Sequence, residues 1–126
     1  MKILQIVEQA FRTLVEEQDD TILWLTQSMA GAGANLEVLL SGNAVYYAVM
    51  KNRQPAVKIG DWVQQEPADI PSDLGRILEQ DIPVYVLKHE LEERGLNVDM
   101  LRPSIKPIDR TQLVSLYKQV DQVWQW

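Results

Sequence analysis

The sequence contains no cysteine, one histidine and one phenylalanine among 126 residues. Without a thiol the chain can form no disulfide, thiolate metal site or iron–sulfur site, and it can carry no sulfur as a persulfide. One histidine rules out the usual zinc sets, leaving His89 and carboxylates as the only conceivable ligands. Bases are also scarce, with 12 Lys and Arg against 18 Asp and Glu, a net charge of −6. Nucleic-acid binding through phosphates needs a basic footprint, so direct binding of that kind is not expected. No apolar run reaches the length of a membrane span. The opening MKILQIVEQ lacks the basic and then apolar layout of a signal peptide, and the expected location is the cytoplasm.

What is present is ordinary for a globular domain: 46% hydrophobic and 24% charged residues. Residues 1–126 read as one domain, large enough to bury roughly two-thirds of its unfolded surface without a staple. The acids are concentrated in the middle. Asp61, Glu66, Asp69, Asp73, Glu79 and Asp81 face a single base, Arg76. That stretch reads as a solvated acidic face, with a docking face for a basic partner as the alternative.

Strand and helix patterns alternate along the chain. Lys2 to Val7 reads as a strand, and Phe11 to Asp20 as a loop or short irregular helix. Asp19 or Asp20 caps a helix carrying Ile22, Leu23, Leu25 and Met29 that runs out near Gly31 and Gly33. Leu36 to Leu40 is the second strand. A helix over Ala44 to Met50 follows, with Asn43 as its expected N-cap. Residues 51–70 form an irregular acidic excursion, with a short strand expected at Ala56 to Ile59 and a helical turn at Asp61 to Gln64. Ser72 is the expected cap of a helix with Leu74, Ile77 and Leu78 on one face.

Val84 to Leu87, a β-branched and aromatic run behind Pro83, fits a buried parallel strand. Glu90, Glu92 and Glu93 crowd the turn that follows, and Gly95 supplies a left-handed stop with Leu96 folding back on Leu91. Ser104 to Ile108 is a further strand, placed at an edge by Pro107. Asp109 and Gln112 form a capping box. The final helix is expected to bury Leu113, Leu116, Tyr117, Val120 and Val123 or Trp124. Four or five short strands, most followed by helices, predict an α/β fold with a small, mainly parallel sheet flanked by helices.

Independent catalytic motifs are missing. Ala30-Gly31-Ala32-Gly33 follows a helix rather than a strand and has neither dinucleotide nor Walker spacing. No serine sits in a nucleophile elbow. His89, just after the strand at Val84 to Leu87, reads either as a partly buried histidine beside glutamates or as a ligand or acid/base group at the sheet's carboxyl end. Trp24 falls on an apolar helical face and is expected in the core. Trp62 reads as an exposed anchor, and Trp124 and Trp126 as packing on the chain's own surface or on a neighbour.

Four segments together resemble the DsrE/DsrF/DsrH (TusBCD-like) sulfur-relay family: MKILQIVEQ, LEVLLSGNAVYYAV, IPVYVLKHELEERGL and SIKPIDRTQLVSLYKQVDQVWQW. The chain is most similar to the cysteine-less DsrH/TusB type. The resemblance implies a DsrEFH-like sandwich and a non-carrying subunit or regulator of an intracellular sulfur relay, as in sulfur oxidation or tRNA 2-thiolation. It implies no cofactor and no catalysis by the chain alone. Partners would be itself or cysteine-bearing DsrE-like paralogues, in a trimer or hexamer. Counting back from Arg94-Gly95, Leu87 stands where carrier members keep their cysteine, which makes Leu87, Lys88 and His89 the candidate site. Val45, Tyr46, Trp62, Trp124 and Trp126 are the candidate interface residues. The alternative is a homo-oligomeric protein of the same fold that binds a small molecule and has no sulfurtransferase activity.

Overall fold

Residues 1–10, 20–50, 56, 58–65 and 69–126 are described by the computed structural model. The chain runs through β1 (Lys2–Val7), α1 (Thr21–Gly31), β2 (Asn35–Leu40) and a 3-10 helix at Gly42–Ala48. A hairpin of β3 (Lys58–Ile59) and β4 (Trp62–Val63) precedes α2 (Ile70–Glu79), β5 (Val84–Leu87) and α3 (Lys88–Glu93). A 3-10 turn at Val98–Met100, β6 (Lys106–Ile108), α4 (Arg110–Gln119) and β7 (Gln122–Gln125) follow.

Five strands form one sheet in the order β6-β5-β2-β1-β7, every neighbour parallel. Parallel neighbours need crossovers, and α1, α2 and α4 each lie in one. The register runs from Lys2 opposite Asn35 to Val7 opposite Leu40, and from Ile3 opposite Gln122 to Ile6 opposite Gln125. This is the α/β sandwich with a mainly parallel sheet that the alternation of patterns predicts.

Side chains alternate between the two faces. Ile3, Val7, Leu36, Val38, Leu40, Val84 and Val86 pack with Ile22 and Leu23 of α1, Leu74 and Ile77 of α2, and Tyr47. Leu4, Ile6, Leu39, Leu87 and Ile108 pack on the other side with Leu116, joined by half-buried Leu113 and Val120. Among the described elements that second face is covered by α4 alone.

The helix ends follow local chemistry. Oδ1 of the fully buried Asp20 accepts from the amides of Ile22 (2.9 Å) and Leu23 (3.2 Å), while Oδ2 accepts from the Tyr47 hydroxyl at 2.6 Å. Asp109 and Gln112 make the reciprocal capping box, each bond 2.8 Å. At the end of α3 the amide of Leu96 donates to Leu91 O (2.9 Å) and that of Gly95, at φ +71°, to Glu92 O (3.1 Å), the paired bonds of a Schellman stop.

Several expectations are corrected. Asp69, not Ser72, caps α2, because its side chain accepts from the Ser72 amide at 3.2 Å and Pro71 occupies the first turn, where its missing amide costs nothing. The segment after β2 is a 3-10 helix ending at Ala48 rather than an α-helix to Met50, and Asn43 does not cap it. Gly42 has φ +54°, and a Cβ there would stand 2.9 Å from the Glu8 carbonyl, so the chain turns too tightly for an α-helical start. Trp62 and Val63 pair with Ile59 and Lys58, so Asp61 to Gln64 is no helical turn. Of the strand expected at Ala56 to Ile59, Lys58–Ile59 is observed and Ala56 is outside it, while residue 57 lies outside the described residues. The readings of residues 11–19 and 51–55 lie outside the described residues.

Two further corrections concern aromatics. The final helix stops at Gln119 and residues 122–125 form β7, because the Asp121 amide bonds Lys2 O (2.8 Å) and draws the chain alongside β1. Val120, Val123 and Trp124 fit a helical stripe, but in β7 Val123 and Trp124 take opposite faces of the strand, and Val123 is 43% exposed. Tyr117 is exposed too. Trp24 is 55% exposed, because Ile22, Leu23 and Thr26 define the buried face of α1 and Trp24 points away from it.

Asp20→Ala removes a cap and leaves a buried tyrosine hydroxyl without that acceptor, so it should lower the unfolding free energy by about 2–4 kcal/mol. Asp109→Ala loses only an exposed cap, about 1 kcal/mol. Urea unfolding of both variants checks this ranking, and equal losses would contradict it.

Candidate functional site

In a parallel sheet the loops after the strands gather at one end, where open α/β sheets bind ligands. Here that end carries Glu8, the Ser41–Gly42 corner, Lys88 and His89, Asp109, and Trp126. The corner after β2 is held from a distance. The Glu90 carboxylate of α3 accepts from the Gly42 amide, and Arg94 Nε donates to Asn43 Oδ1 at 3.2 Å. Glu90 therefore supplies the capping acceptor that Asn43 was expected to supply.

Next to this corner a cleft of about 380 Å³ opens between the ends of β5 and β6. Lys88, His89 and Glu92 line it from α3, and Asp109, Arg110 and Thr111 from the start of α4. Lys88 and Arg110 make no ion pair among the described residues. Nδ1 of His89 is buried with no hydrogen-bond partner. Asp109 is occupied with its capping box and Glu92 remains, so the cleft mixes both signs and suits a ligand with an anionic group and a donor better than a bare anion.

The structure brings two of the three candidate site residues into the cleft. Lys88 and His89 line it. Leu87 is 6% exposed and packs on the α4 side with Ile108 and Leu116. Asp109, Arg110 and Thr111 arrive from a segment twenty residues further on, through the pairing of Leu87 with Ile108. Their only signal in the sequence was the cap of the last helix.

The candidate interface residues divide. Val45 is fully buried within the chain, so it is no interface residue of the folded protein; it lies on the 3-10 helix side that faces the core. Tyr46 and Trp62 are exposed, Trp62 at 47%. Trp124 and Trp126 are half-buried against the chain's own core, and Trp126 Nε1 donates to Gln5 Oε1 at 2.9 Å.

A second polar cluster lies under α4, at the other end of the sheet. Glu37 is buried, with Oε1 3.4 Å from both Lys2 Nζ and the Tyr85 hydroxyl, and Oε2 without a hydrogen-bond partner. Lys106 Nζ stands 5.8 Å from the centre of the Tyr85 ring. Burial, and then the charge and hydrogen bond of Glu37, push the Tyr85 hydroxyl above its ordinary value near 10.

No family model matches the sequence, and no curated protein does. Among solved structures the chain is similar to that of the ychN protein from E. coli, with a TM-score of 0.73. The likeness spans 99% of this chain and 98% of that one at 19% sequence identity. It establishes a shared α/β architecture across the whole length and leaves chemistry to the residues. No helix among the described residues is long and apolar enough to cross a membrane.

Two outcomes are expected. Leu87→Cys should fold with a loss of roughly 1–3 kcal/mol and alkylate at neutral pH more slowly than a peptide thiol, since the site is enclosed. Alkylation at the peptide rate would show that the strand end opens. For Tyr85 the folded pKa is raised, so its contribution is complete below the unfolded value and disappears as pH rises through the folded one. Urea midpoints at about pH 8 and about pH 11 should therefore differ less for Tyr85→Phe than for the parent chain. Equal differences would exclude this contribution.

Proposed function

We propose that this protein is a non-carrying subunit of an intracellular sulfur-relay assembly of the DsrE/DsrF/DsrH type. One observation carries the reading. Leu87, where the resemblance places the carrier cysteine, lies at the carboxyl end of β5 with its side chain in the core, in a chain with no thiol anywhere. Accepting the terminal sulfur of a persulfide requires a thiolate, so this subunit's contribution would be shape and contact rather than transfer. The observed α/β sandwich supports this reading, and sulfur oxidation and tRNA 2-thiolation are the settings that the resemblance implies.

A second reading is favoured by the cleft. Lys88, His89 and Arg110 gather at the sheet's carboxyl end, which suits a homo-oligomer of the same fold that binds a small molecule. Exposed Trp24, Tyr46 and Trp62 are compatible with assembly in either case. A relay subunit would assemble with a cysteine-bearing paralogue, a small-molecule binder with itself, in a closed trimer or hexamer.

Affinity purification from the native cell, followed by light scattering and intact mass after treatment with a persulfide donor, separates the two readings. The relay reading expects a cysteine-bearing paralogue in the complex, with added sulfur on the paralogue and none on this chain. A homo-oligomer that retains a small molecule and no paralogue would replace it with the second reading. A stable mass gain of one sulfur atom on this chain would contradict both.

A further inference from the structure

Arg102 is not among the residues that line the charged cleft, and neither proposed function uses it. Its backbone amide donates to Ala48 O at 2.8 Å, holding it beside the end of the 3-10 helix. Its side chain reaches α2, where Nη1 donates to the carbonyl of Pro71. There the guanidinium rests against Gly75. A methyl group at Gly75 would stand 2.8 Å from Nη2, so an alanine there would displace the guanidinium from its present position.

The guanidinium is part-buried, and no carboxylate pairs with it among the described residues. The nearby acids are committed or turned aside. Asp69 accepts from the Ser72 amide and hydroxyl, Asp73 pairs with Arg76, and Glu79, which shares a neighbouring cleft with Gly75 and Arg102, forms no ion pair with Arg102. One charge-assisted fork of donors is therefore left facing a cleft of about 370 Å³. Its other walls among the described residues are Tyr47, Val49, Met50, Pro71, Ser72 and Pro103, mostly apolar apart from the serine and the tyrosine hydroxyl, which donates to Asp20.

From this geometry we infer that the Arg102 cleft binds a small organic monocarboxylate, with the carboxylate on the guanidinium and the apolar body against Met50, Val49 and the two prolines. Arginine's planar fork matches a carboxylate bidentately, and the cleft falls within the usual size range of small-molecule sites. The mostly apolar walls favour a ligand with a hydrocarbon body, so a strongly hydrated phosphate dianion is disfavoured. Gly75 is a positioning residue: it gives the guanidinium the room to sit where the cleft needs it.

The probe is benzoate, with benzyl alcohol as its uncharged analogue and inorganic phosphate as the doubly charged anion, followed by NMR on the whole chain. Benzoate should shift the Arg102 Nε–H signal and bind roughly tenfold or more tightly than benzyl alcohol, with phosphate no better than the alcohol. Arg102→Met should weaken benzoate roughly tenfold, and Gly75→Ala, which keeps the arginine and favours the helix, should weaken it too. Urea midpoints establish that each variant is folded. Benzoate that leaves the Arg102 signal unmoved, or that binds both folded variants as it binds the parent, overturns the inference. These outcomes do not depend on sulfur transfer or on the assembly formed.

Discussion

The side-chain amide of Gln5 joins parts of the fold that are far apart in the chain. It is fully buried in β1, where an unsatisfied donor or acceptor costs about 1–3 kcal/mol each. Nε2 donates to Thr26 Oγ1 at 2.7 Å, Thr26 in turn donates to Ile22 O at 2.8 Å, and Oε1 accepts from Trp126 Nε1. Both halves of the amide are thus satisfied by residues that only the finished fold supplies, one on α1 and one beyond β7. The same tryptophan bonds β1 through its backbone, accepting from the Glu8 amide at 3.0 Å and donating to Ile6 O at 2.9 Å. With β1 fixed in this way, β2 and then β5 and β6 extend the sheet on one side while β7 closes the other.

Some of this could be read from the residues and some could not. β1, β2 and β5 were legible because their apolar runs are bounded by Gly, Pro and charges. The cap at Asp20, the box at Asp109 and the stop at Gly95 were legible because each depends on neighbours within a few residues. What failed depended on partners far away. Residues 122–125 look helical until β1 is beside them, and the cap of the 3-10 helix comes from Glu90, 48 residues on. At α2, Asp69 and Ser72 are both good caps, and Pro71 between them decides for the earlier one. Trp24 was placed in the core by its apolar neighbours, yet Leu23 and Thr26 already fill the face that α1 turns to the sheet.

The candidate site shows the same division. Lys88 and His89 could be named because a strand ending in a charged turn marks a sheet's carboxyl end. Asp109, Arg110 and Thr111 could not, since only the register of β5 against β6 brings them to the same cleft. Val45 was named for its apolar character, and that character is consumed by the chain's own core.

The end of β5 also shows how little change separates packing from chemistry. Alternation along the strand sends Leu87 down into the α4 cluster, while the next two residues, released from the strand, turn toward the cleft. A leucine in this position adds apolar contact on the face that, among the described elements, α4 covers, whereas a thiol there would have had to give up that contact to reach solvent. The charged residues around the cleft do not depend on that choice. The same backbone can therefore present a buried hydrophobic residue and a polar cleft side by side.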